Sequence, residues 1–185
     1  MKRTLILLVV FCLVAACGDD DCDQHGCAVT SQPSRGTSIS QGFAGAASHA
    51  SDAVINGCAE CPLGRGILEV WTADAPVATK TEAVALIVGG PATRTITFEG
   101  MYEQAFDSGH YLVCADACNF PSPFGGMCAP ITVETGAVTT VHVRYTFGPT
   151  RLVVFDPGSS VARTDLFDLE SGDIGTAGCG DGIRT

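Results

Sequence analysis

Hydrophobic and polar positions divide the chain into three stretches. Lys2 and Arg3 precede an almost wholly apolar run, Thr4 to Val14, which closes on Ala15-Ala16-Cys17 and gives way to Gly18-Asp19-Asp20-Asp21. A basic start, a short apolar core and small residues at its end are the layout of a secretory leader. A spanning helix needs roughly 20 apolar residues, so this run predicts a signal peptide over 1–16 and not a retained anchor. Residues 17–40 are polar, and "TSQPSRGTS" within them is a linker signature. From Gln41 onward the pattern changes to short apolar runs separated by turn residues.

Most of those runs read as strands. "GILEVWT" (Gly66 to Thr72) sets Ile67, Glu69 and Trp71 on one face and Leu68 and Val70 on the other. "AVALIV" (Ala83 to Val88) reads as a short buried strand bounded by "GGP", and "TRTITF" (Thr93 to Phe98) alternates. "YEQAF" (Tyr102 to Phe106) meets "HYLVCA" (His110 to Ala115) across Asp107-Ser108-Gly109. "PITVE" leads through Thr135-Gly136 to "VTTVHVRYTF", and "TRLVVFD" follows Gly148-Pro149. The pattern predicts an all-β fold, an antiparallel Ig-like β-sandwich of about seven to nine strands crosslinked by disulfides. Residues 41–55 stay open between strand and helix. Ile39, Phe43, Ala47, Ala50 and Val54 have helical spacing, while Gly42 and Gly45 would each cost a helix about 1 kcal/mol.

Part of the pattern resembles a known family. "GMYEQAFDSGHYLVCADAC" followed by "APITVETGAVTTVHVRY" is similar to the carboxypeptidase regulatory-like domain of the transthyretin-like (prealbumin-like) sandwiches. Gly109 and Tyr111 match its strand-entry turn, and Val133, Gly136, Val138, Val141 and Val143 match its final hairpin. The resemblance covers roughly 41–156. It implies an opening strand, with Gly45-Ala46-Ala47 before Asp52 in that slot, and a carbohydrate-binding-like sandwich acting as an accessory module. The insert "NGCAECPLGRG" departs from the family's short turn, and 157–185 reads as an acidic, loop-like tail.

The leader's end carries a second resemblance. "VAAC" resembles the bacterial lipobox, which implies cleavage before Cys17, a diacylglycerol thioether on its sulfur and acylation of its new amine, with chains such as palmitate. Each buried methylene contributes about 0.8 kcal/mol, so several chains on one residue hold firmly. Glycine at position 18 implies the cell outer membrane of a Gram-negative envelope and leaves surface exposure open. The aspartates at 19, 20, 21 and 23 read as a solvated tether, since they lack the spaced ligands of a calcium loop.

Charge then removes one class of partner. Of ten Lys and Arg, two leave with the leader, so eight face twenty Asp and Glu, a net charge of about −12. Nucleic-acid binding, which needs clustered cations, is not expected.

Cysteine counting follows from export. With Cys12 in the leader and Cys17 lipidated, the disulfide candidates are Cys22, Cys27, Cys58, Cys61, Cys114, Cys118, Cys128 and Cys179. Cys118 and Cys128 flank the Pro/Gly-rich "NFPSPFGGM" and are expected to pair, worth about 2 to 3 kcal/mol. "CAEC" at Cys58 to Cys61 has redox spacing but no helix after it. Cys22, His25, Cys27, Cys58 and Cys61 could in principle be gathered around zinc. An envelope thiol-redox or metal-dependent protein is thus the alternative to a non-enzymatic lipoprotein, for which no metal and no cofactor is expected.

Catalytic chemistry finds little footing. "DSGH" (Asp107 to His110) looks like a triad compressed into a turn, but strand neighbours point to opposite faces. His25, His49, His110 and His142 are dispersed, and alternation with Val141 and Val143 predicts a solvated His142. Trp71 reads as core more readily than as a sugar platform. Phe120, Phe124 and Met127, apolar residues of the "NFPSPFGGM" loop, form the candidate partner surface for an envelope protein or glycan.

Overall fold

A computed structural model describes residues 37–55, 58–62, 66–115, 126–145 and 150–174. Within them the fold is all-β, with ten strands and two helices in this order: β1 (Gly42–Ile55), β2 (Cys58–Pro62), β3 (Gly66–Ala73), α1 (Lys80–Gly89), β4 (Arg94–Phe98), β5 (Met101–Ala105), β6 (Gly109–Ala115), β7 (Gly126–Val133), β8 (Val138–Tyr145), β9 (Arg151–Phe155), β10 (Phe167–Leu169) and α2 (Ser171–Ile174).

Two five-stranded sheets result. One runs β2-β1-β8-β9 with β5 also on β1, and the other runs β10-β7-β6-β3-β4. The long β1 gives one edge to β8 and divides the other, pairing β5 over Gly42 to Ala46 and β2 from Ser48 onward. The open question over 41–55 is thereby settled as strand. Gly45 shows why: a Cβ there would stand 1.9 Å from the Val141 carbonyl oxygen, so only glycine lets β1 approach β8 so closely.

Residues from both sheets meet in one apolar cluster. Phe43, Tyr102, Val141, Val143, Leu152 and Val154 come from the first sheet; Leu68, Val70, Val113, Ile131 and others come from the second. A second cluster lies on the opposite face of the β3-β6-β7 sheet, where Trp71, Leu112, Cys114, Cys128 and Leu169 pack with Ala83 and Ile87 of α1. Trp71 is buried and donates its indole N–H to the Gly90 carbonyl at 3.0 Å, which ties the end of α1 to β3.

Several expectations are corrected. Ala83–Val88 is helical, because a capping box overrides the apolar run: Thr79 Oγ1 accepts from Glu82 N at 3.2 Å, and the Glu82 carboxylate accepts from Thr79 N at 3.1 Å. The expected hairpin across Asp107-Ser108-Gly109 does not form; β5 joins the first sheet and β6 the second, as do β8 and β7 respectively. The sheets are not wholly antiparallel, since β1 and β8 run parallel. Ten strands exceed the expected number, partly because Cys58–Pro62 of the insert is a strand and β10 of the tail adds to β7.

Candidate functional site

The corner between β5 and β6 gathers several polar and aromatic residues around one cleft. Tyr111 enters β6 with its ring buried and its hydroxyl donating to the Asp107 carbonyl, four residues back, at 2.9 Å. This is the geometry of the tyrosine corner found in β-sandwich proteins. Gly109 passes the ring with no side chain of its own, and a Cβ added there would lie 3.6 Å from the hydroxyl. Around it, Phe106 stacks tilted on Phe43 at 4.6 Å and edge-on to Tyr111 at 5.1 Å. The Arg94 guanidinium lies 4.7 Å from the Phe106 ring centre and donates to the Ala105 carbonyl at 3.2 Å.

Gln41 locks this corner from the side. Its amide donates to the Phe106 carbonyl at 2.9 Å and accepts from Gly136 N at 3.1 Å, joining the β5–β6 link to the β7–β8 turn. Ahead of it, Ser38 donates its backbone N–H to Glu103 at 2.8 Å and its hydroxyl to the same carboxylate. Those two bonds hold the Glu103 carboxyl below its ordinary range.

Between these residues opens a cleft of about 380 Å³, lined by Thr72, Thr93, Arg94, Phe106, Asp107 and Tyr111. It presents a guanidinium, a carboxylate and two threonines, of which Thr93 already accepts from Thr72 N at 3.1 Å. Burial raises the Tyr111 phenol, with the Asp107 charge adding to the rise and Arg94 opposing it, so Tyr111 stays protonated and donating. The chemistry on offer is hydrogen bonding to a polar, hydroxyl-bearing or zwitterionic group.

The compressed triad does not converge. Ser108 Oγ meets Thr135 Oγ1 at 2.9 Å, His110 Nδ1 meets Thr132 Oγ1 at 3.0 Å across the β6–β7 ladder, and Asp107 supplies its carbonyl to Tyr111. Ser108 and His110 are thus engaged with threonines of neighbouring segments, while Asp107 closes the corner through its main chain and leaves its carboxylate to the cleft. His142 differs from expectation: it lies opposite the valines, yet it is buried, with Nδ1 accepting from Ala46 N at 3.1 Å.

Among the other candidate residues, Met127 is buried and not exposed. As part of β7 it points into the core, where its sulfur accepts from Leu152 N at 3.4 Å. Cys128 is at disulfide distance from Cys114, with Cα atoms 4.1 Å apart, which corrects the expected pairing with Cys118. The reason is register: Cys114 and Cys128 are direct cross-strand neighbours on β6 and β7. Cys58 and Cys61 lie on β2. Cys17, Cys22, Cys27, Cys118, Cys179, Phe120 and Phe124 lie outside the described residues, as does His25. Among the described residues no three His, Cys, Asp or Glu side chains gather as metal ligands, and no helix is long and apolar enough to cross a membrane.

Gly109 and Tyr111 were legible in the sequence, whereas Gln41, Arg94 and the cleft were not, because they depend on contacts between distant strands. No protein-family model, curated protein or solved structure matches the chain.

Proposed function

We propose that this chain is a non-enzymatic envelope lipoprotein, lipid-anchored through Cys17, whose body is a prealbumin-like β-sandwich presented to a protein or glycan partner. The observation that carries the reading is the fate of the triad-like cluster: Asp107, Ser108 and His110 each support the strand corner. The apolar cluster shared by the two sheets supports a sandwich, and the Cys114–Cys128 approach supports a crosslinked one. The leader and "VAAC" support the anchor, with the outer membrane as its destination. With Met127 in the core, the Arg94–Asp107 cleft becomes the presented surface.

The test is expression with the native leader in a Gram-negative host, followed by intact mass and membrane fractionation. A mature N-terminus at Cys17 carrying acyl mass, sedimenting with outer membranes, is the expected result, and Cys17→Ser should leave the anchor unmade. An unmodified Cys17 on a freely soluble chain overturns the anchored reading.

A further inference from the structure

We propose that the cleft at the β5–β6 corner binds a small ammonium–carboxylate zwitterion, with the ligand's carboxylate on Arg94 and its ammonium on Asp107. That is the chemistry of a free amino acid, or of a short peptide with both ends free. The assignment deepens the reading of the cleft as the presented surface and rests on it. Both residues line the same space of about 380 Å³, a volume within the range of small-molecule sites. Among the described residues Arg94 and Asp107 form no ion pair, with each other or with a third group. Opposite charges that share a cleft without closing on each other suit a ligand carrying the complementary pair.

The corner fixes both groups by contacts that leave their charges available. Arg94 donates to the Ala105 carbonyl at 3.2 Å and lies 4.7 Å from the Phe106 ring centre. A guanidinium has five N–H donors, so others remain to grip a carboxylate. Asp107 is held through its main chain, where its carbonyl accepts from the Tyr111 hydroxyl at 2.9 Å. Both charges act on that phenol: burial raises its pKa most, Asp107 raises it further and Arg94 lowers it. Thr93 Oγ1 accepts from Thr72 N at 3.1 Å and keeps its own hydroxyl hydrogen to donate. Charge also selects the ligand. A chain of net charge −10 repels a simple anion, and Arg94 repels a simple cation from Asp107, whereas a zwitterion meets neither opposition.

The full chain made with its own leader, isotope-labelled and extracted in detergent, is titrated with glycine, diglycine and triglycine, whose end charges stand progressively farther apart. Acetate and methylammonium, with one charge each, are the comparison. The expected result is saturable NMR shifts of the Thr72, Phe106 and Tyr111 amides with at least one zwitterion, at about tenfold lower concentration than with either single charge. Preference for glycine marks a free amino acid and preference for a longer member marks a peptide; either upholds the proposal. Arg94→Gln and Asp107→Asn should each weaken binding about tenfold, while Arg151→Gln, outside the cleft, leaves it unchanged. The amide spectrum itself reports whether each variant is folded, and the comparison between ligands needs no variant. No shift, equal shifts with acetate or methylammonium, or full binding by a folded Arg94→Gln or Asp107→Asn chain overturns the proposal. The mass on Cys17 in the same sample separates the two readings. Zwitterion binding by an unacylated chain upholds the cleft and rejects the anchor, whereas an acylated chain that binds no zwitterion rejects the cleft assignment alone.

Discussion

Tyr111 concentrates several roles in one side chain. Its ring fills the shared apolar cluster beside Phe43 and Phe106, and its hydroxyl closes the corner on Asp107. Tyr111→Phe keeps the ring and removes only the bond, so the cost should be about 1 kcal/mol. For a domain of this size that is roughly 2–4 °C in Tm, with a larger loss for Tyr111→Ala, which also empties core volume. Thermal unfolding of the two variants checks this, and an unchanged Tm for Tyr111→Phe would remove the corner from the stability argument. His142 makes the complementary case. Its Nδ1 accepts from Ala46 N where the β1 backbone would otherwise need a strand acceptor. That bond requires Nδ1 to be unprotonated. Alternation along β8 was legible in the sequence; which face would be covered was not, because that depends on what packs over it.

Elements were legible where one local signal decided them and obscured where two competed. β4 shows its alternation directly, while β3 and β6, buried on both faces, show as short apolar runs bounded by turn residues. At α1 a continuous apolar run suits a buried strand or a buried helix equally, and Thr79-Lys80-Thr81-Glu82 ahead of it is the signal that distinguishes them. Thr79→Ala should therefore cost about 1 kcal/mol, seen as a lower unfolding midpoint without loss of the strand signal. Glu82 adds a pH dependence. Hydrogen bonds from the backbone N–H groups of Ala78 and Thr79 lower its pKa below 4.5. A lowered carboxyl stabilises the fold above its unfolded pKa and ceases to do so as pH falls through the folded one. Glu82→Gln can still complete the box, so it should fold at neutral pH and show a shallower stability loss below pH 4.5 than the parent chain. A fully parallel pH profile would contradict that role. On the same scale, an oxidised Cys114–Cys128 pair closes a 14-residue separation, and Cys114→Ser with Cys128→Ser should lower stability by about 3 kcal/mol.

At the scale of the whole molecule, the exchange of strands between sheets was hidden from the sequence. Asp107-Ser108-Gly109 and Thr135-Gly136 look like hairpin turns, yet each joins strands of different sheets, since side chains from both must reach one cluster. What then binds the sheets at their open margin is Arg163. Its guanidinium donates to the Pro130 carbonyl of β7 at 2.7 Å, while its backbone N–H donates to the Val154 carbonyl of β9 at 2.8 Å. One residue thus bridges both sheets and caps an edge strand that could otherwise template aggregation. Asp165 orients it, with Arg163 Nε donating to its carboxylate at 2.8 Å, and this bond lowers the Asp165 pKa. Arg163→Met keeps much of the aliphatic stem and should cost about 1–2 kcal/mol at neutral pH, since it leaves a carbonyl without its charged donor. Asp165 is largely exposed, so solvent screening limits its share. The sign is nevertheless fixed: its contribution is present above the unfolded pKa and lost as pH falls through the lowered folded value. The stability gap between the parent chain and Arg163→Met should therefore narrow under acid yet persist, because the Pro130 bond does not titrate. A gap that stays constant across that range in paired denaturant titrations would assign the whole effect to Pro130, and one that vanishes would assign it to the two carboxylates beside the guanidinium, Asp165 and Asp156.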